Sequence, residues 1–67
     1  MDDRRVGLIA RALRRRRAWR QQDLARVADV SQSTVSRFER GHLDRLAIGT
    51  LRRILGALEA RTELEVR

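Results

Sequence analysis

The stretch Gln21 to Gly41, QQDLARVADVSQSTVSRFERG, decides how this chain folds. Leu24 and Ala28 fall one helical turn apart, Val35 and Phe38 fall three residues apart, and Val30 stands between the two sets. That spacing predicts two short helices packed at a steep angle around a tight turn, with the small Ala25 where they cross. Ser31 is placed to cap the second helix and Gly41 to end it. Gln32, Ser33, Ser36 and Arg37 then fall on the face away from Val35 and Phe38. Gln and Arg form paired hydrogen bonds with base edges, so these four are the candidate DNA base-contacting residues.

These residues resemble the helix-turn-helix of the Cro and lambda-repressor-like family, also called Xre-type. The family pattern stands here as Gln21, Leu24-Ala25, Ser31-Gln32 and Glu39-Arg40-Gly41, and the resemblance runs from about Val6 to Leu58. It implies an all-α fold, a compact four- to five-helix lambda-repressor-like DNA-binding domain. It also implies that Arg14 pairs with Glu39 as a partly buried structural ion pair, and that Gln21 touches phosphate while buttressing Gln32. Asp29 departs from the glycine the family favours in its left-handed turn. Asp tolerates that conformation better than most residues.

Sixty-seven residues allow one small domain. The absence of cysteine excludes a disulfide framework and a thiolate metal site. The lone His42 has no companion ligand, so neither a metal nor a cofactor is expected. No apolar run is long enough to span a bilayer, and a cytoplasmic location is expected. The net charge is +7 and every basic residue is Arg. Residues 1–20 hold eight Arg and two Asp, a balance of +6, whereas residues 21–45 balance at zero. The candidate reading helix is therefore not itself the basic patch.

Before the motif, Asp2 or Asp3 is placed to cap a first helix to about Arg17, with Val6, Ile9, Ala10 and Leu13 as its apolar stripe. The run Arg14 to Arg17 goes round the whole helix, so its members cannot share one role; Arg15 and Arg16 are read as solvated. Trp19 precedes the second helix where packing on Leu24 would form a hydrophobic staple, in preference to a base-stacking platform. Gln21 and Gln22 open that helix, where free N–H groups receive a phosphate. With Arg20, Thr34, Arg40, His42 and Arg45 they make up the candidate DNA phosphate-contacting set.

Past the motif, Ile48, Leu51, Ile54, Leu55 and Leu58 mark a closing helix from about Ile48 to Glu59. In the tail, Thr62, Leu64 and Val66 alternate with charged residues, a strand pattern. Residues 1–60 are thus read as the DNA-binding domain and 61–67 as a strand-like tail. The tail is similar to that of antitoxin-like members of the family, whose short strand pairs across a homodimer; the start of a further module is the other reading.

The function expected is a sequence-specific double-stranded DNA-binding regulator, a repressor or an autoregulating antitoxin with a toxin partner. The rival is a protein-interaction module whose Arg-rich first helix binds an acidic partner. An enzyme is not expected: no catalytic constellation can be assembled from one His, no Cys and no glycine-rich phosphate loop.

Overall fold

The computed structural model describes the backbone of residues 2–66 and the side chains of residues 2–59. Four α-helices follow one another: α1 (Asp3–Arg16), α2 (Gln21–Ala28), α3 (Gln32–Glu39) and α4 (Ile48–Val66), with a single 3₁₀ turn at Leu43–Arg45 between the last two. α2 packs on α3 and α4, and α1 packs on α3 and α4, so α3 is held from two sides. The buried core is Ala10 from α1, Leu24, Ala25 and Ala28 from α2, Val35 and Phe38 from α3, and Ile54 and Leu58 from α4. Of the apolar motif positions, Leu24, Ala25, Ala28, Val35 and Phe38 are in it, Val30 packs against it from the turn, and Val27 is exposed.

Local chemistry sets the ends of the helices. Asp2 caps α1 by accepting from the Arg4 backbone N–H at 2.9 Å. α1, α2 and α3 all end in the same way. One or two residues past each helix the backbone enters the left-handed region, at Ala18 (φ 58°), Asp29 (φ 59°) and Gly41 (φ 87°). The N–H groups of Trp19, Val30 and His42 then turn back onto the carbonyls of Arg14, Ala25 and Arg37 at 3.2, 2.9 and 3.0 Å. This is the Schellman arrangement, which satisfies carbonyls the helix leaves open. Gly41 also needs its missing Cβ for space, since a Cβ there would lie 2.8 Å from Arg4 Cα.

Of the three left-handed positions, Ala18 is the strained one: alanine has no polar side chain to offset the contact of its Cβ with the carbonyl. Ala18→Gly is expected to raise stability by about 0.5–1 kcal/mol. A urea denaturation midpoint that falls instead would overturn this.

Two expectations are corrected. Over 62–66 the chain continues as helix to Val66, where a strand was expected. A lone strand leaves its backbone unpaired, whereas a helix satisfies its hydrogen bonds internally, and Leu58, Glu59, Ala60, Arg61, Glu63, Leu64 and Glu65 are good helix formers. The apolar stripes are also narrower than read: Ile9, Leu55 and Ile48 are 49%, 42% and 67% exposed. α4 buries the row through Leu51, Ile54 and Leu58, which leaves Ile48 and Leu55 to one side.

Candidate nucleic-acid interface

The site begins with what orients α3. Glu39, at its last turn, is buried, and its carboxylate accepts from Arg14 Nε at 2.6 Å and Arg14 Nη2 at 3.0 Å. The remaining guanidinium nitrogen, Nη1, donates to the Trp19 carbonyl at 2.8 Å, in the link between α1 and α2. Gln21 Nε2, at the start of α2, donates to the same carboxylate at 3.2 Å. One buried carboxylate thus ties α3 to α1 and α2 at once. A bidentate pair of this kind specifies an angle more than it adds stability, because burial of both charges offsets most of their attraction.

Gln21 is therefore engaged with Glu39 in the free protein, rather than shown against Gln32. The backbone approach at this corner is close. α1 crosses the end of α3 at Gly7, where a Cβ would lie 2.5 Å from the Phe38 carbonyl oxygen and 2.6 Å from that of Glu39.

The start of α3 is built around Ser31. Its Oγ accepts from the Thr34 N–H at 3.1 Å and lies 2.8 Å from Thr34 Oγ1 and 3.1 Å from Ser33 Oγ. Gln32, Ser33 and Arg37 are exposed, while Thr34 and Ser36 are half-buried. Arg37, Arg40, His42 and Arg45 come together around one open concavity of about 500 Å³ at the far end of α3. Arg37, expected among the base-contacting residues, thus lies beside Arg40, His42 and Arg45, expected among the phosphate-contacting ones. Asp44, to which the sequence reading gave no role, also lines this concavity. Only the 3₁₀ turn shows that it does, by folding 43–45 back beside α3.

At the start of α2, Gln22 and Arg20 are exposed. Asp23 accepts from the Arg20 backbone N–H at 2.8 Å and pairs with Arg26 at 2.8 Å. The Arg20 N–H, followed by the charges of Arg20 and Arg26, holds the Asp23 carboxyl below its usual range. A lowered folded pKa means this contribution is present above the ordinary carboxylate range and is lost as pH falls through the folded value. Arg20 supplies no side-chain cap, so Asp23 does half the work of a capping box from inside the helix.

The arginine run divides as its periodicity requires. Arg14 is buried, Arg15 and Arg16 are exposed, and Arg17 clamps α1 to α4 by donating to the Leu13 and Leu58 carbonyls at 2.9 and 2.8 Å. Its guanidinium carbon also sits 5.7 Å from the centre of the Trp19 ring. That ring is half-buried against the cluster that contains Leu24, in the position of a staple. The clamp role of Arg17 had no sequence signal, since the acceptors are backbone carbonyls.

Among the described residues no helix is long and apolar enough to cross a membrane, and no cluster of His, Asp or Glu is arranged to hold a metal ion. Comparison with curated proteins gives no match, and comparison with solved structures gives none. A family model described as helix-turn-helix matches residues 11–64, which takes in the second half of α1 from Arg11, all of α2 and α3, and most of α4. With that match over most of its length, and with α2 and α3 set as above, the chain belongs to the Cro and lambda-repressor-like helix-turn-helix family of DNA-binding regulators.

Proposed function

We propose that this protein is a sequence-specific regulator of transcription that binds double-stranded DNA as a homodimer, acting as a repressor or as an autoregulating antitoxin. The observation that carries this reading is the outer edge of α3. Gln32, Ser33 and Arg37 are exposed on a helix whose angle is locked by the buried Glu39, with Arg40, His42 and Arg45 gathered beside it.

In this reading α3 enters the major groove and α2 lies across the backbone. Gln32, Ser33, Ser36 and Arg37 face bases. Arg20, Gln21, Gln22, Thr34, Arg40, His42 and Arg45 face phosphates, aided by the free N–H groups at the start of α2. One unit reads few base pairs, so two copies would read half-sites about 34 Å apart. A toxin or other protein partner belongs to the antitoxin version alone. Binding to chromosomal DNA places the protein in the cytoplasm.

Selection of binding sites from randomised duplexes tests the whole reading. It should return a two-fold symmetric consensus with that spacing, and a pool with no consensus would remove the claim of specificity. Arg37→Ala should flatten preference among the selected sites by about 1–3 kcal/mol while random-sequence binding changes less. Equal losses on both, titrated at one salt concentration, would make Arg37 a phosphate contact like its neighbours in the concavity. Arg40→Ala should lower affinity for all sequences alike and reduce the salt slope by about one unit.

A further inference from the structure

The concavity at the far end of α3 contains one residue that a phosphate-binding surface does not call for. Arg37, Arg40, His42 and Arg45 line it, and so does Asp44. Asp44 stands exposed on the 3₁₀ turn, and among the described residues its carboxylate forms no ion pair with any of these arginines. It therefore does not serve as a structural clamp in the way Glu39 does.

A carboxylate in that place acts differently on the two groups Arg37 can meet. A phosphate carries a full negative charge, and one docked about 6 Å from Asp44 is disfavoured roughly three- to tenfold at low salt. The major-groove edge of guanine offers acceptors to the same guanidinium but carries no net charge, so it escapes most of that repulsion. Discrimination is a difference of affinities, and it grows as much from a penalty on the wrong partner as from a contact with the right one.

We propose that Asp44 is a specificity-determining residue of the DNA-binding surface, whose carboxylate disfavours phosphate in the concavity and so turns Arg37 toward a guanine edge. The inference rests on the DNA-binding reading above and adds to it a residue that touches neither base nor phosphate. The same field weakens the phosphate grip of Arg40, His42 and Arg45 on every duplex. Duplexes without guanine beneath Arg37 lose most.

The test is titration of the full chain, native and Asp44→Asn, against the duplex returned by site selection and against a random duplex over a range of salt. Asn keeps the shape of the side chain and removes its charge. Affinity for the random duplex should rise roughly three- to tenfold, with a steeper salt slope, while affinity for the selected duplex rises less. Asp44→Glu should keep the native discrimination. In an Arg37→Ala background Asp44→Asn should raise both affinities alike. Glu59→Gln removes the same charge elsewhere, at the edge of an apolar groove between α1 and α4 lined by Val6, Ile9, Leu13, Leu55 and Leu58, with no residue of α2 or α3 in it. It should leave the ratio of the two affinities unchanged. Equal gains on both duplexes, no gain on either, or the same narrowing of the ratio without Arg37 would each overturn the proposal and leave the DNA-binding reading standing. A native protein that selects no consensus would overturn that reading, and this inference with it.

Discussion

Arg14→Met is expected to cost about 3–5 kcal/mol, because it leaves the Glu39 carboxylate buried with only the Gln21 amide for company. A chain of this length has a total stability of roughly 3–10 kcal/mol, so the loss is a large fraction of the whole and the variant should unfold at a much lower urea concentration. Arg14→Met combined with Glu39→Leu should recover most of that loss, since no buried charge remains to be compensated. Recovery of stability need not restore function. Without the fork that spans α1, α2 and α3, packing alone holds the angle of α3, and the double variant should discriminate less well among DNA sequences than the native protein does. Urea denaturation of the two single variants and the double variant gives the coupling energy. A double variant as unstable as Arg14→Met would mean that the pair itself supplies the stability.

Gly7→Ala is the second large effect, and its sign separates two principles. Helix propensity alone favours alanine inside a helix by about 1 kcal/mol. Here the new Cβ would meet the Phe38 and Glu39 carbonyl oxygens at 2.5 and 2.6 Å, and both belong to backbone that cannot swing aside. Separating α1 from α3 to relieve this should cost about 1–3 kcal/mol beyond the propensity gain, with a fall in Tm of roughly 10 °C. Gly56→Ala is the internal control, because a Cβ there meets nothing within 4 Å. It should stabilise by up to about 1 kcal/mol. Thermal melts that show both substitutions moving in one direction would rule out the close crossing of α1 over α3.

The difference between the two glycines also shows how far a sequence can be read. At the sequence level Gly7 and Gly56 are the same: each is a weak helix former in an otherwise good helix. Their separation into a close crossing and an open surface comes from which neighbour lies across from each.

The motif itself was fully legible. The periodicity of Leu24, Ala28, Val35 and Phe38 reports a helical face directly, and Ser31 and Gly41 act within one turn of their own positions. The left-handed turn at Asp29 was implied by the family resemblance, and Asp29 does take that conformation. The helical face and its caps are local, and local rules survive without knowledge of the fold.

Less was legible where the outcome depends on what faces a helix. The stripes of α1 and α4 were read with Ile9, Ile48 and Leu55 inside, yet all three are exposed, because a stripe gives a direction and not the width of the surface that covers it. Alternation over 62–66 suggested a strand, but alternation acquires meaning only with a neighbouring strand, and the backbone there is helical. The strained Ala18 and the clamp made by Arg17 were hidden because both depend on backbone groups, which carry no residue identity.

By itself, then, the order of residues determined the helix-turn-helix, its caps and its polar outer edge, since each arises from contacts within a few positions of chain. Only the tertiary structure decided that Arg37 shares a concavity with Arg40, His42 and Arg45, that Gly7 admits no side chain, and that an apolar groove lies between α1 and α4. Those are properties of surfaces brought together from distant stretches, and they exist only after packing has chosen which faces meet.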